Sequence, residues 1–572
     1  MKNNLFCSKL ILCAVLFVVS VLPYSRAAKY DLINLDDYAY VENCEEIVGG
    51  LTPRNILWAF TTTKDFIYMP LTRISYQLDW SLASSENVHQ QMHMHSLLIH
   101  GLNAVLLAVL LMMFSDKPIA AVAAAAIWAV HPLRVESVAW IASRKDLVSL
   151  FWLLFALIFW VKFRRAKDPF KWYGLSITSF VLALLSKPSA MTFPFLVAVL
   201  DIFYLRKLSR IDFDNIWSRA YVVPLAIFVG IAWFTKSCQD AGLLLIPEVA
   251  AAPLPYRILN AAVSYGIYIL HTIWPVHLAP QCAIRYPSLP RLFYIAIPIT
   301  ITVLWLGVRS FRHRGSFAMC LAWYTVSIGP MLGVAAFGHH AFADRFTYIP
   351  AIGFSFFLLE FCRNCRWRMF LLLVMIAFSL LSYHQTSFWH DDKSLFEHLL
   401  AVDGENNYAA HFDLAYHHWE ITHDLSASIE HFNRGRKLAP VYAMENGRAA
   451  LQLMALCEIG DVDNAVELLH ALTVHEQTKY QGRALTDGLI AARGIYFLTI
   501  GNIAQAKDDL AFLEQRPNTK RSLHTRYLKS KIRGCLEGKA GELDEQKKLI
   551  AERPKCLDYA RYRFLESRGQ VR

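Results

Sequence analysis

The chain has 572 residues, 55% of them hydrophobic and only 18% charged, and its mean hydropathy is positive; that balance excludes an ordinary water-soluble globule and reads as a membrane protein. Its formal charge of +11 invites a nucleic-acid reading, but the Lys and Arg fall in short clusters between apolar runs, as topology signals do, so no nucleic-acid partner is expected. Eleven cysteines are scattered along the chain, and the close pair Cys362 and Cys365 has no second such pair to complete a zinc site.

At the amino terminus Lys2 and Lys9 precede the charge-free run 10–24, followed by Ser25-Arg26-Ala27-Ala28. This reads either as a cleaved signal peptide or as an uncleaved first span, and the many later spans favour retention. Two adjacent carboxylates, Asp36 and Asp37, then open a long outward loop, 27–95. From the residues alone they are either a solvated acid pair or a general base with a neighbour that tunes it. Trp58, Phe60, Tyr68, Tyr76 and Trp80 alternate with polar positions here, the composition of helices lying in a membrane interface. His93, His95 and His100 invite a zinc reading, but on a helix His95 faces away from the other two and no third ligand shares their face, so no metal site is assigned.

Further apolar runs occupy 87–115, 118–133, 147–161, 172–186, 188–200, 220–235, 258–284, 292–308, 316–343, 346–359 and 369–389. Basic clusters at 162–165, 206–210, 309–314 and 363–368 mark the cytoplasmic side. Threading the runs between them works if one run between Lys236 and Arg309 fails to cross, and 258–284, with Pro275, His271 and His277 inside it, is the natural re-entrant candidate. The count is then about eleven crossings, with the amino terminus inside. Asp36-Asp37, the segment 131–146, Ser186-Lys187-Pro188 and Asp344-Arg345 all fall on the opposite, outer face, which predicts an outward-facing site.

Beyond about residue 390 the composition turns polar and helical. Leu414-Ala415, Gly460-Asp461 and Gly501-Asn502 each lead to small and apolar positions spaced as in stacked helix hairpins of the tetratricopeptide kind. The Gly460-to-Gly501 interval exceeds the usual period of roughly 34 residues, so the repeats are divergent. The predicted organisation is all-α: a membrane helix bundle over 1–390 and a repeat-like α-solenoid over 391–572.

The segment His131-Pro132-Leu133-Arg134-Val135-Glu136-Ser137-Val138-Ala139-Trp140-Ile141-Ala142-Ser143-Arg144-Lys145-Asp146 resembles the signature of bacterial membrane glycosyltransferases with carboxyl-terminal tetratricopeptide repeats, relatives of the transmembrane and tetratricopeptide repeat O-mannosyltransferases of eukaryotes. Five further stretches agree in order: Asn34-Leu35-Asp36-Asp37, Trp58-Ala59-Phe60-Thr61-Thr62, His100-Gly101-Leu102-Asn103, Leu185-Ser186-Lys187-Pro188, and Ala343-Asp344-Arg345-Phe346-Thr347-Tyr348-Ile349-Pro350. The resemblance implies a GT-C fold, a polyprenyl-phosphate-linked sugar, a hexose such as mannose, as donor, and transfer to a protein or glycan hydroxyl on the outer side. The implied membrane is a bacterial inner membrane with a periplasmic repeat domain, or the endoplasmic reticulum with a lumenal one.

By that resemblance Asp36 is the base that takes the acceptor proton, and Asp37 orients the acceptor, tunes its neighbour or holds a divalent cation if one is used. Arg345, Arg144, Lys145 and Lys187 are the cations available to the lipid phosphate, or else to lipid headgroups. Asp344, Glu136 and His131 complete the substrate-side set; Glu136 and Asp146 are expected to pair with Arg144 or Lys145, and His131 to cap a helix. The chain departs from the family at Tyr68-Met69-Pro70-Leu71-Thr72, where a His or Arg usually precedes the proline, and at Ser96, where Asn is common. That departure keeps open a non-catalytic membrane scaffold whose repeat domain binds protein partners.

Overall fold

The computed structural model describes residues 2–42, 44–62, 67–83, 87–205, 219–243, 253–280, 282–283, 294–311, 313, 315–334, 340–444, 448–479 and 487–515. They form two compact units, Met1–Leu395 and Phe396–Arg572. The first is a helical membrane body. In hydrocarbon every backbone N–H and C=O must be satisfied within the chain, so the long charge-free runs can only be helices. Among the described residues five are long and apolar enough to cross a bilayer: Ser8–Lys29, Val88–Met112, Ile141–Arg165, Pro188–Leu205 and Arg368–Trp389. Shorter apolar helices include Phe170–Ser186, Val222–Ser237 and Ala296–Phe311.

Burial orders these helices. Ile141–Arg165 is the central one, with 72% of its apolar window inside the protein, whereas Arg368–Trp389 at 17% and the first span at 28% are peripheral and turn Leu, Ile and Val outward. The central helix packs on Phe170–Ser186 and on Val88–Met112.

The sharp break in a span falls where the sequence reading did not put it. Pro118–Ala129 and Pro132–Ala139 pass together as one apolar pair bent by 64°. Pro132 cannot continue the first helix, and His131, extended at its backbone, accepts the Leu133 N–H on Nδ1 to start the second. The stretch expected not to cross holds the helix Leu254–Ile273, which stops short of Pro275 and is not among those five spans. Its continuation, Cys282–Ala283, pairs antiparallel with His340–Phe342 in a two-stranded ribbon, a small exception to the all-α expectation.

Polar ends segregate along the central helix. Arg144–Arg165 has 22 residues, so its ends stand about 33 Å apart. At one end Lys145 faces Asp36. At the other Arg165 donates to the Met113 carbonyl and Arg164 pairs with Asp201, while Arg363 pairs with Asp116 and Lys117 donates to the Arg363 carbonyl. The acidic pair and two of the basic clusters, 162–165 and 363–368, thus belong to opposite ends of the bundle; the cluster 206–210 lies outside the described residues.

The second unit is a run of helix hairpins: Tyr408–His417 with Leu425–Leu438, Arg448–Ile459 with Val462–Lys479, and Asp487–Thr499 with Ile503–Gln515. Gly460 and Gly501 take the left-handed conformation, φ +79° and +80°, that closes the first helix of the latter two hairpins. Ala415, Phe432, Leu453, Ala465, Ala491 and Ala506 fill the core between helices.

Candidate active site

The segment carrying the acid pair is pinned from both sides. Asp37 is buried; its Oδ1 accepts the Ala142 N–H at 2.7 Å and its Oδ2 the Ile33 N–H at 3.0 Å. Asp392 is also buried and accepts the Asn34 N–H at 2.7 Å. Burial, assisted by the neighbouring Asp36 charge, pushes the Asp37 carboxyl up to about 7 against the two N–H groups that favour its ionised form, and burial likewise raises Asp392 to about 7. Asp36 points the other way, with 43% of its side chain exposed. Two adjacent acids are therefore placed differently: one ties its segment to the 131–146 stretch, the other is open to solvent. Asp37 has both oxygens turned to backbone N–H groups and closed off from solvent, which does not fit a divalent-cation ligand. Among the described residues no group of three or more His, Cys, Asp or Glu could hold a metal ion.

Cations surround Asp36. Lys145 Nζ lies 4.0 Å from its Oδ2, over the rings of Tyr40 at 4.8 Å and Trp140 at 5.7 Å. Arg345 covers the same Trp140 ring at 5.2 Å, and Trp389 stacks on that indole at 6.1 Å between centroids. Lys187, Arg345, Asp36 and Asp146 all lie within electrostatic reach of Lys145. The 64° break explains this convergence: it turns Glu136 and Trp140 across the end of the bundle just before the central helix begins at Arg144.

The ion pairs differ from those expected. Glu136 binds Arg345, accepting its backbone N–H at 2.7 Å and pairing with its guanidinium, which also donates to the Pro280 carbonyl at 3.2 Å. Asp146 accepts from Lys187 at 2.6 Å, and its other oxygen has no partner among the described residues. Asp344 is buried beside His271, 3.4 Å from its Nδ1. Asp36, Lys145, Arg345, Glu136 and Lys187 are therefore brought together.

Two sequence candidates stand apart. Arg144 is buried and faces inward, where its guanidinium pairs with Asp79 and donates to the Met92 carbonyl, with Ser96 Oγ 3.2 Å from its Nε. It is a structural charge and not a phosphate ligand, because neighbours on a helix point about 100° apart and Lys145 takes the outward direction. His131 caps the break and meets the Thr272 carbonyl through Nε2 at 3.0 Å, the capping role expected of it. His93, His95 and His100 each have a different partner, the Asp31 carbonyl, Asp79 and Tyr348 Oη. Met69 is buried, and Arg73 one turn later donates to the Thr62 and Ile67 carbonyls.

Sequence reasoning missed Asp79 and the buried Arg134, which holds Thr347 through its carbonyl at 2.9 Å and hydroxyl at 2.7 Å. Asp79 shows in the sequence only as a charge within an aromatic and apolar stretch, whereas Arg134 stands inside the 131–146 signature segment without having been assigned a role.

No protein-family model matches the chain. Protein O-mannosyl-transferase TMTC3 of Homo sapiens is 21% identical over 380 residues, covering 59% of this chain and 41% of the relative. Protein O-mannosyl-transferase TMTC4 of Homo sapiens is 28% identical over 222 residues, 34% of this chain and 29% of the relative. Tmtc2 of Drosophila melanogaster is 26% identical over 218 residues, 35% and 22%. The chain is related to the TMTC O-mannosyl-transferases. It spans less than half the length of these TMTC relatives. Among solved structures, ArnT from Cupriavidus metallidurans bound to undecaprenyl phosphate aligns over 90% of this chain and 81% of its own, at 13% identity and a TM-score of 0.32.

Proposed function

We propose that this protein is an integral-membrane glycosyltransferase of the GT-C type, moving a hexose such as mannose from a polyprenyl-phosphate carrier to a hydroxyl of a protein or glycan on the outer, periplasmic or lumenal face. The observation that carries the reading is Asp36, a half-exposed carboxylate at the end of the bundle opposite the basic turns, with Lys145 4.0 Å away and Arg345 and Lys187 close by. The TMTC relationship supports the class of reaction.

In this mechanism the acceptor hydroxyl gives its proton to Asp36 while its oxygen bonds to the anomeric carbon, and the bond from that carbon to the carrier phosphate breaks. The electron pair leaves on the phosphate, whose added charge Lys145, Lys187 and Arg345 balance. Trp140 holds two of those cations on its ring, and Glu136 and Asp146 fix Arg345 and Lys187 in place. The helix-hairpin unit offers acceptor proteins a docking surface in the same compartment.

The test is transfer of radiolabelled mannose from polyprenyl phosphate mannose to endogenous acceptors in membranes containing the protein. Asp36→Asn is expected to reduce transfer on the order of 100-fold or more with no change in membrane insertion. Full activity of that variant removes the base assignment. Mass spectrometry of envelope glycoproteins and glycans with and without the protein, showing no missing hexose, removes the class.

A further inference from the structure

The loop that carries Asp36 begins and ends on one side chain. His89, in the first turn of helix Val88–Met112, lies with Nδ1 2.6 Å from Asp31 Oδ1 and Nε2 3.0 Å from Glu42 Oε1. Asp31 stands five residues before Asp36 and Glu42 six after it. The two arms are unequal: the Asp31 side chain is exposed, whereas Glu42 is 6% exposed, so its charge depends on a counter-ion inside the protein. One turn further along the same helix, His93 Nε2 meets the Asp31 carbonyl at 3.4 Å, and Arg144 lies beyond it.

We propose that His89 is a clamp: a cationic imidazole bridging Asp31 and Glu42 that sets the position of the 31–42 segment and hence of Asp36. Nδ1 is hydrogen-bonded to Asp31 and Nε2 lies in ion-pair range of Glu42, and two carboxylates beside one imidazole favour its protonated form. Among the described residues, the titratable and charged groups around it are Asp31 and Glu42 from the segment and His93 from its own helix, with Arg144 behind His93. Loss of one ring proton at alkaline pH leaves a bare nitrogen against an anion and opens one arm. His89 is thus a positioning residue, and this role in catalysis rests on Asp36 being the base.

Hydrogen exchange of the full-length protein in lipid nanodiscs reads the clamp without requiring transfer. His89→Gln is expected to raise exchange across 31–42 on the order of tenfold while exchange within the central helix stays constant. His89→Arg, which presents two N–H donors and a fixed charge, restores protection. Asp31→Asn, which removes the charge from the exposed arm alone, loosens the start of the segment and leaves its end protected. In the transfer assay His89→Gln lowers kcat/KM roughly 10–100-fold, and His89→Arg keeps activity without the parent's alkaline decline. Unchanged exchange in His89→Gln and Asp31→Asn overturns the clamp, as does failure of Arg to protect the segment in a folded protein. If the parent protein transfers no sugar but His89→Gln opens the segment, the clamp stands and the glycosyltransferase reading fails.

Discussion

Replacing Asp37 with Asn separates the two carboxylates by a measurement that needs no substrate. In the fold Asp37 is buried with a carboxyl raised to about 7; in the unfolded chain the same group titrates near 4. Between those values the folded chain holds a proton that the unfolded chain has lost, so this group stabilises the fold in acid and the benefit disappears as pH rises through about 7. Since pH 5 lies about two pH units below the folded value, the gain on moving from pH 8 to pH 5 is roughly 3 kcal/mol. Asn has no proton to take up, and its amide N–H₂ must face one of the two backbone N–H groups of Ile33 and Ala142, which costs about 1–3 kcal/mol at any pH. Equilibrium unfolding in mild detergent, followed by tryptophan fluorescence at pH 5 and pH 8, therefore should show the variant losing that 3 kcal/mol of pH-dependent gain. Asp392 titrates in the same sense, so a smaller gain persists in Asp37→Asn and drops again when Asp392→Asn is added. If the single variant gains as much between pH 8 and pH 5 as the parent, Asp37 is ionised in the fold and burial does not govern it.

Arg144 and Lys145 are adjacent but should fail differently. Arg144→Met leaves the buried Asp79 with His95 alone and is expected to destabilise the protein by about 3 kcal/mol, seen as a lower unfolding midpoint. Lys145→Gln faces a partly exposed partner, so stability should stay within about 1 kcal/mol of the parent while KM for the lipid donor, from a donor titration, rises on the order of tenfold. In the helix-hairpin unit a Cβ at Gly435 would meet the Phe412 ring at 2.9 Å. Gly435→Ala should therefore lower stability by about 1–3 kcal/mol, as measured by thermal circular dichroism, and Phe412→Leu should relieve part of that loss.

What the sequence disclosed was geography. Charge-free runs gave the helices, Lys and Arg clusters gave one end of the bundle, and the motifs around Asp36, Glu136, Lys187 and Arg345 gave the other, because a bilayer imposes these constraints along the chain. Gly460 and Gly501 likewise announced their turns, since few other residues accept a positive φ there. Pairing was not legible. Glu136 was expected to meet Arg144 or Lys145 nearby in the chain, yet it binds Arg345, 209 residues away, because the bend at Pro132 and the break at Trp140 turn it off the central helix. Arg144 and Lys145 read as equivalent cations until the helix direction sent one to Asp79 and the other to Asp36. His89 was equally illegible, because its two partners, Asp31 and Glu42, lie across a tertiary contact.

Burial converts a repeated residue type into a division of labour. Asp36 and Asp37 are chemically identical, but the two N–H groups that hold Asp37 at the same time seal it from solvent, and this fixes the backbone that presents Asp36 outward. The cations are graded in the same way: Arg345 is committed to Glu136 and the Pro280 carbonyl, Lys187 to Asp146, and Lys145 faces Asp36 at 4.0 Å with aromatic rings as its other contacts. A phosphate arriving at this end of the bundle competes with least at Lys145, and drawing Lys145 away leaves Asp36 without its nearest counter-charge.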